Sequence, residues 1–506
     1  MREVIKVNPN DNVAIAVVET GLPKDHVVEE INVTTLTEVP FGHKVALETI
    51  KKDAPVIRYG VAIGYAKEDL PAGTWVNETN IYVKPSDEMN TSVAHKKLDY
   101  RFADAPKPET RYFMGYRNSD GTAGTRNLLT INTTVQCVEG VVNYAVDKIR
   151  QELLPNYPNV DGVVAVNHIY GCGVAIDGKG SEIPQRTIRH ISENPNMIEG
   201  RMVVGLGCEK FNPERAYPDY PIENVIMLQD CQGFAAMVET ILAQAKNILE
   251  KLNQRKREPI PVSELSVGMQ CGGSDAFSGL TANPSMGYAS DLLVLHGAKV
   301  IFSEMSEVRD AVHIMKDRML NDEVVKQLDA EVAWYDEYLA QGKVDRTANT
   351  SLGNKAGGLS TIVEKSMGSV AKSGTSEIVD VISVGEKIRK PGLTFAATPA
   401  SDFVCGTEQL ASGITLQLFS SGRGTTYNLP YIPVLKVSTN PVLSAKWHDI
   451  IDVDCGRVLT GEESIETMGE AIFELIIKIA SGEVKTKSDT YGIYNALAVF
   501  NPAPIT

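Results

Sequence analysis

The sequence predicts an α/β protein in which a small all-β N-terminal domain is followed by two α/β domains with mainly parallel sheets. Three observations predict this fold class. Short β-branched runs punctuated by Gly and Pro fill residues 1–84. Apolar runs then alternate with helical segments over 113–253, and the same alternation resumes over 262–506. A chain of 506 residues is also long enough for about three domains.

The N-terminal domain is predicted to contain strands at 12–18, 27–33 and 55–60, with turns at Gly and Pro between them. Residues 85–112 are polar, carry many charges and contain prolines, which is a linker composition. The sequence therefore predicts that this segment connects the β domain to the rest of the chain.

The middle domain, 113–253, is predicted from short buried strands and two helices. Strands alternating with helices favour a parallel sheet with right-handed crossovers. The predicted strands are 128–134, 162–166, 202–206 and 225–228, and the predicted helices are 138–154 and 234–252.

A charged, proline-bearing boundary at 254–261 separates this domain from a C-terminal domain at 262–506. The same strand and helix alternation predicts a second parallel sheet there. Its predicted strands are 265–269, 299–302, 378–382, 393–397, 414–419 and 432–437, and its predicted helices include 288–295 and 465–480.

Composition narrows the class of function. The chain is 43% hydrophobic and 22% charged, as expected for a globular protein with a large core. A net charge of −15 disfavours binding to nucleic acid or anionic membranes. No apolar run approaches the ~20 residues of a membrane helix, and the N-terminus lacks a signal-peptide core. Seven cysteines without a close pair favour free thiols, so we expect a cytoplasmic protein.

Three cysteines lie in glycine-rich turns that end or follow apolar runs: Cys172, Cys208 and Cys271. Glycine lets the backbone approach a ligand closely, and Cys, His, Asp and Glu hold metals and move protons. The carboxyl ends of parallel strands are where α/β proteins place their chemistry. The pattern predicts a metal-assisted enzyme that acts on a small polar substrate.

Each of these segments also has a structural interpretation. His168 could be a hydrogen-bonded structural histidine, and Cys208 a buried inert cysteine. The Gly-Gly-Ser-Asp run after Cys271 forms a nest of amide donors suited to a carboxylate. Asn283 stands near a helix start that could bind an anion or simply cap the helix. Arg423 could grip a carboxylate or lie free on the surface.

Missing motifs argue against several enzyme classes. The chain has no Gly-x-x-x-x-Gly-Lys-Ser/Thr loop, no Gly-x-Ser-x-Gly elbow and no His-Glu-x-x-His helix. Gly205-Leu206-Gly207 begins a dinucleotide-like turn, but position 210 is Lys where the third glycine would stand. We therefore expect no NAD.

Several segments together resemble the galactarate dehydratase/altronate dehydratase family. The resemblance runs essentially end to end, and the N-terminal domain resembles the SAF (antifreeze-like) type. The segments that carry it are 115–121, 167–173, 205–210, 270–279, 353–358 and 421–425. Residues 269–279, 398–407 and 498–504 resemble the galactarate branch more closely than the altronate branch.

This resemblance implies a hydro-lyase of sugar-acid catabolism that removes water from galactarate to give 5-dehydro-4-deoxy-D-glucarate. It also implies a divalent metal, first of all Fe²⁺, with Mg²⁺ or Mn²⁺ as alternatives. The substrate is a small molecule, and base rates for oligomers favour a homodimer.

We assign candidate roles to residues on this basis. The catalytic candidates are His43, His168, Lys210 and Asp275. The substrate-binding candidates are Lys44, Ser274, Asn283, Lys355 and Arg423. The metal-ligand candidates are His43, His168, Cys172, Cys208, Glu209 and Cys271.

Other functions stay open at this point. The three cysteines could instead bind an iron–sulfur cluster of a hydro-lyase. The substrate could be a related sugar acid such as altronate. From other classes, the chain could be an NAD-linked sugar-acid oxidoreductase or a non-catalytic sugar-acid sensor.

Overall fold

Short antiparallel strands build the N-terminal domain. The structure is a computed structural model that describes residues 2–84 and 100–505. The strands are β1 (Val4–Ile5), β2 (Val13–Ala16), β3 (Val27–Val28), β4 (Val33–Thr34), β5 (Lys44–Ala46), β6 (Pro55–Arg58), β7 (Val61–Ala66), β8 (Trp75–Val76) and β9 (Ile81–Tyr82). They form a four-stranded sheet in the order β1-β2-β5-β8, a three-stranded sheet in the order β6-β7-β9, and the β3–β4 hairpin.

The segment 27–33, predicted as one strand, is two strands in the structure. β3 and β4 pair antiparallel, with Val28 opposite Val33. Asn32 takes a φ of 51° in the turn between them. Asn tolerates this left-handed conformation better than most residues, so the chain reverses there.

The predicted linker lies partly outside the described residues, which resume at residue 100. Beyond it, β10 (Tyr112–Arg117) pairs with β11 (Ala123–Gly124) and, antiparallel, with β16 (Glu258–Pro261). The predicted boundary at 254–261 therefore contains a strand. The two ends of the middle domain lie side by side through the β10–β16 pair.

The middle domain contains a four-stranded parallel sheet in the order β13-β12-β14-β15. Its strands are β12 (Leu128–Thr133), β13 (Gly162–Val166), β14 (Arg201–Gly205) and β15 (Ile226–Met227). Its helices are α1 (Glu139–Lys148), α2 (Glu182–Ser192), α3 (Pro213–Ala216) and α4 (Phe234–Leu252). One face of α4 packs Ile241, Ala245 and Leu249 into the core of this domain.

The C-terminal domain is built on a seven-stranded parallel sheet. Its strands are β17 (Ser266–Cys271), β18 (Lys299–Ser303), β19 (Ile378–Ile382), β20 (Gly392–Ala396), β21 (Leu416–Ser421), β22 (Val434–Ser438) and β23 (Val453–Asp454). The strand order is β19-β20-β18-β17-β21-β22-β23. The chain runs from β17 towards β18 on one side and returns to β21 on the other, so the order reverses between β17 and β21.

Eleven helices of this domain lie within the described residues: α5 (Ala282–Leu295), α6 (Met305–Val308), α7 (Val312–Lys316), α8 (Asp322–Gln341), α9 (Leu352–Ala356), α10 (Ile362–Val370), α11 (Asp402–Ala411), α12 (Pro441–Lys446), α13 (Arg457–Thr460), α14 (Ile465–Ala480) and α15 (Lys487–Tyr491).

The predicted fold class, a small all-β N-terminal domain followed by two α/β domains with mainly parallel sheets, is confirmed. Across the described parts of the chain, every helix is too short or too polar to cross a membrane.

Candidate metal centre

The candidate site lies at the carboxyl edge of the seven-stranded sheet, where the strand order reverses between β17 and β21. Open parallel sheets commonly bind ligands beyond the carboxyl ends of their strands near such a reversal. The loop after β17 begins at Gly272, and the loop after β21 begins at Gly422. The two loops touch, since the amides of Gly422 and Arg423 donate to the Gly273 carbonyl at 3.2 and 3.0 Å.

Three buried side chains converge next to this reversal, at the ends of β17 and β18, in a group that could hold a metal ion. The Cys271 sulfur and one carboxylate oxygen each of Glu304 and Glu307 all lie within 4.8 Å of one another. Cys271 ends β17, Glu304 follows β18, and Glu307 lies in α6. Glu304 takes a φ of 78°, which is uncommon for a residue other than glycine. The turn aims the first residue after the strand at Cys271.

Two buried lysines balance the charge of this group. Lys372 Nζ lies 3.3 Å from Cys271 Sγ and 3.8 Å from Glu304 Oε2. Lys365 Nζ lies 2.7 Å from Glu307 Oε1. A buried charge is costly unless it is paired. These lysines therefore balance the negative charge of the carboxylates.

The electrostatics of the group fit a cation. Burial and the neighbouring Glu307 raise the pKa of Glu304 well above its ordinary value. Burial opposes ionisation of Glu307 as well, but Lys365 and Lys372 lower its pKa to about 2. Burial raises the pKa of Cys271 to about 11. Glu304 Oε2 has no hydrogen-bond partner among the described residues. This group therefore has a buried oxygen that a metal ion would satisfy.

The ligand types also indicate which metal suits the group. Thiolate ligands such as Cys271 select transition metals, whereas Mg²⁺ and Ca²⁺ prefer all-oxygen sites. The set of one thiol and two carboxylates thus fits a divalent transition metal.

Asp402 lies next to this group. Its carboxylate packs against the Cα of Gly272, so a side chain at position 272 would collide with it. Burial and the charge of Glu307 raise the pKa of Asp402 to about 6. A carboxyl group with this pKa can gain or lose a proton near neutral pH, as a general acid or base must.

Asp275 lies in a buried hydrogen-bonded cradle on the same edge of the sheet. Its carboxylate accepts hydrogen bonds from Thr439 Oγ1 at 2.8 Å and Asn440 Nδ2 at 3.0 Å. The backbone amide of Phe277 and the hydroxyl of Ser278 donate to it at 3.1 Å each. Burial nonetheless raises the pKa of Asp275. The cradle fixes the loop after β17.

His43 reaches the same region from the N-terminal domain. Its Nδ1 accepts from Trp75 Nε1 at 3.1 Å, and its Nε2 lies 3.4 Å from the Ala356 carbonyl. Burial and the charge of Lys44 lower the pKa of His43. Both ring nitrogens therefore face partners within the protein.

Lys44 is fully buried and pairs with Glu364 of α10. Its Nζ lies 2.9 and 3.0 Å from the two carboxylate oxygens, and it donates to the Gly358 carbonyl at 2.6 Å. Arg58 contacts the same carboxylate. This trio joins the N-terminal domain to the C-terminal domain.

The remaining candidates of the C-terminal domain differ in exposure. Arg423 is exposed and Lys355 is partly exposed, so both side chains can reach solvent. Ser274 is buried and its hydroxyl has no hydrogen-bond partner among the described residues. Asn283 is also buried, donates to the Gly368 carbonyl at 2.8 Å and accepts from Ser420 at 2.5 Å.

The other candidates lie on the middle domain's sheet, apart from the seven-stranded sheet that carries Cys271. His168 is buried, and its Nε2 lies 2.8 Å from the Thr133 carbonyl. Because a carbonyl only accepts, this nitrogen carries the proton. Burial lowers the pKa of His168 to about 4. The ring is therefore neutral near pH 7.

Glu209 and Lys210 hold the loop after β14, and Cys172 and Cys208 are exposed on the same side of the domain. The Glu209 carboxylate accepts from the backbone amides of Leu206 and Gly207 at 3.0 and 2.7 Å. Lys210 Nζ donates to the Val174 carbonyl at 3.2 Å.

Five residues beside Cys271 were absent from the candidates chosen from the sequence. These are Glu304, Glu307, Lys365, Lys372 and Asp402. Only Glu304 offered a clear signal, because it lies two residues after the predicted strand 299–302. The sequence contained no signal for either lysine, because each lies in a helical segment whose composition is typical of an exposed helix.

The comparisons with known proteins cover almost the whole chain. Residues 2–84 match the altronate/galactarate dehydratase SAF domain. Residues 115–253 match the second domain of D-galactarate dehydratase/altronate hydrolase, and 262–505 match the C-terminal domain of D-galactarate/altronate dehydratase. The SAF-like character predicted for the N-terminal domain is thereby confirmed.

Individual relatives agree with these matches. The chain is 52% identical over 512 residues to galactarate dehydratase (L-threo-forming) of Escherichia coli (strain K12), covering 99% of this chain and 97% of that protein. It is 33% identical over 504 residues to altronate dehydratase of the same strain, covering 98% and 99%. It is 32% identical over 506 residues to altronate dehydratase of Bacillus subtilis (strain 168), covering 99% of each. The chain therefore belongs to the galactarate dehydratase and altronate dehydratase family.

Proposed function

We propose that this protein is a hydro-lyase that dehydrates galactarate to 5-dehydro-4-deoxy-D-glucarate. The observation that carries the proposal is the end-to-end identity of 52% to a galactarate dehydratase, against 32% and 33% to two altronate dehydratases. The buried Cys271, Glu304 and Glu307 group at the strand-order reversal supplies a site for the chemistry.

Cys271, Glu304 and Glu307 would hold the divalent metal, and the thiol favours a transition metal such as Fe²⁺ over Mg²⁺. When bound, the metal supplies Lewis-acid stabilisation of the negative charge that develops on the substrate carboxylate during proton removal. Cys271 must lose its thiol proton to become a ligand, and Glu304 must be ionised. Lys372, in contact with both groups, offers a positive charge that favours these forms.

Asp402 is our candidate for the residue that removes the proton from the carbon next to the substrate carboxylate. Its raised pKa of about 6 makes it a stronger base than an ordinary aspartate. Hydroxide then leaves the neighbouring carbon and combines with a proton to form water, which accounts for the proton taken from the substrate. The resulting enol tautomerises to the ketone. The contact with Gly272 keeps the Asp402 carboxylate beside Cys271.

Arg423 and Lys355 are our candidates for binding the second carboxylate of the substrate. Galactarate carries a carboxylate at each end, so a site that holds one end beside the metal needs a cation for the other. The guanidinium of Arg423 can bind a carboxylate through two parallel hydrogen bonds. Its exposure leaves it available for that contact.

The test is metal-dependent turnover. Protein purified anaerobically and stripped of metal is incubated with galactarate or altronate, together with Fe²⁺, Mg²⁺, Mn²⁺ or no metal, and the 2-keto product is measured. We expect galactarate to be converted, fastest with Fe²⁺. Conversion of altronate alone would move the protein to the other branch of the family, and no conversion of either acid would overturn the proposal.

A matched variant locates the metal. Cys271→Ser keeps the size of the side chain but replaces the soft sulfur ligand, so we expect it to lose Fe²⁺-dependent turnover. Cys455→Ser, which changes another buried cysteine of the same domain, is the control and should retain it. Equal activity of the two variants would place the metal elsewhere.

We further propose a cytoplasmic homodimer. All seven cysteines are unpaired, which suits a reducing compartment. Closed dimers are the commonest assembly of soluble enzymes. Sedimentation analysis of the purified protein tests this state, and a monomer at micromolar concentration would contradict it.

A further inference from the structure

Each of the four parallel strands of the middle domain is followed by a cysteine. Cys137 follows β12 by four residues, and Cys172 and Cys208 lie in the loops after β13 and β14. Cys231 follows β15. Because parallel strands end at the same edge of a sheet, the topology gathers these cysteines on one side of the domain.

Direct backbone contacts hold the loops together. Gly171, next to Cys172, packs so closely on Thr134 and Val135 that a side chain there would collide with them, and its φ of 114° favours glycine. The amide of Lys210 donates to the Gly171 carbonyl at 3.2 Å. Cys137, Cys172 and Cys208 thus lie within three residues of a contact that joins their loops.

Glu209 joins two of these loops through hydrogen bonds. Its carboxylate accepts hydrogen bonds from Thr134 Oγ1 in the loop after β12 and from the amides of Leu206 and Gly207 in the loop after β14. These hydrogen bonds fix the positions of the loops relative to one another.

The thiols differ in what they contact. Cys137, Cys172 and Cys208 are exposed, and the Cys208 sulfur accepts a hydrogen bond from Gln229 Nε2 at 3.5 Å. Cys231 is half-buried, with its sulfur 3.8 Å from the Met227 carbonyl. The three exposed thiols do not all lie within 4.8 Å of one another, unlike the described group at Cys271. This spacing does not suit one shared ion. Thiolates that are too far apart to share an ion can still each bind a different iron atom of a polynuclear cluster.

We propose that Cys137, Cys172 and Cys208 ligate a [4Fe–4S] cluster at this sheet edge, separate from the Cys271 centre. Three protein thiolates bind three of the iron atoms and leave the fourth without a cysteine ligand. The glycines beside Cys172 and Cys208 let backbone amides approach the cluster, where hydrogen bonds to sulfide tune its potential.

Assembly of this cluster needs iron and sulfide but no further oxidant. Two ferrous and two ferric ions combine with four sulfide ions to give the [4Fe–4S]²⁺ core, so the electrons balance. Each of the three cysteines releases its thiol proton to the buffer when its sulfur binds iron.

The experiment is anaerobic reconstitution of the full chain with ferrous iron, ferric iron and sulfide, followed by gel filtration. The readouts are visible charge-transfer absorption, the electron paramagnetic resonance signal after reduction, and the ratio of bound iron to acid-labile sulfide. We expect a brown protein with iron and sulfide in equal amounts. Cys137→Ser, Cys172→Ser and Cys208→Ser should each lose the absorption, while Cys231→Ser and Cys271→Ser retain it.

Several outcomes would overturn the proposal. These are a colourless wild type, iron bound without sulfide, absorption lost only in Cys271→Ser, or absorption kept in all three single variants. Circular dichroism of each variant separates cluster loss from unfolding, and a double variant, Cys137→Ala with Cys208→Ala, repeats the test if one variant misfolds. Because the readouts are spectroscopic, absence of a cluster leaves the proposed dehydration untouched.

Discussion

Lys44 of the N-terminal domain and Glu364 of the C-terminal domain form a fully buried ion pair, with Nζ 2.9 Å from Oε1. Burial lowers the pKa of Lys44, while the neighbouring Glu364 opposes that effect. Arg58 and Lys44 together lower the pKa of Glu364 against its burial. The charges depend on one another, because an unpaired charge at this depth would be costly.

Replacing Lys44 with Met should therefore destabilise the protein rather than weaken substrate binding. Removing one partner of a buried ion pair costs about 3–5 kcal/mol of folding stability. We expect a loss near the lower value, because Arg58 still pairs with Glu364. Urea and thermal unfolding measure the loss. Lys51→Met is the control, because Lys51 pairs with Asp69 in solvent and such a pair contributes about 0–1 kcal/mol. An unchanged stability with a raised KM would instead support the substrate-binding role predicted for Lys44.

Asp402→Asn should lower kcat by about 10²–10⁴ and leave KM nearly unchanged, because it removes a proton acceptor and keeps the shape of the side chain. Steady-state kinetics on galactarate with saturating metal measure both constants. Ser401→Ala changes the exposed neighbouring residue and should leave kcat as in the wild type. A kcat within a few-fold of wild type in Asp402→Asn would assign the base to another residue.

Arg423→Met should mainly raise KM if the guanidinium binds the far carboxylate of the substrate and takes no part in proton transfer. Loss of a charge-assisted bidentate contact is worth about 1.5–3 kcal/mol, or roughly 10- to 150-fold in KM. Arg423→Lys keeps the charge but cannot form the two parallel hydrogen bonds, so it should keep only part of the affinity for substrate. A fall in kcat at constant KM would contradict this role.

Glu408 should make the folded protein less stable as pH rises. Burial raises its folded pKa from 4.5 to about 7, while Thr187 Oγ1 and the Phe500 amide donate to its carboxylate. A group with a raised folded pKa takes up a proton on folding. Its stabilising contribution is thus complete below pH 4.5 and is lost as pH rises through about 7.

Glu408→Gln, which mimics the protonated form, should remove this dependence. Thermal unfolding between pH 5 and 8, in about half-unit steps, should show the variant gaining stability over wild type as pH increases, by on the order of 3 kcal/mol at the upper end. Parallel curves for the two proteins would show that Glu408 does not carry the effect.

The architecture followed from apolar runs because buried parallel strands are almost continuously hydrophobic. The predicted strands at 162–166 and 378–382 agree with β13 and β19 in every residue. The pairing of β10 with β16 was not predicted, since Tyr112 meets Pro261 across nearly 150 residues. The residues of a strand do not indicate which distant strand it pairs with.

The site was predictable only in part, for a similar reason. Cys271 ends β17 and Asp275 lies in the loop that follows, so the direction of the strand places both at the carboxyl edge of the sheet. Lys365 and Lys372 contact the same centre from a helix and the turn after it, about 100 residues further along. Charged residues in helices are ordinarily solvated, so only the folded chain reveals that these two are buried.

The β10–β16 pair has a consequence for how the chain is made. A ribosome releases β10 well before β16, and the four-stranded sheet of the middle domain emerges between them. This sheet can therefore fold before β16 has been synthesised and has paired with β10. The C-terminal domain folds last. Because its two ends lie side by side, the middle domain has the geometry that lets a domain be inserted into another protein without displacing the flanking chain.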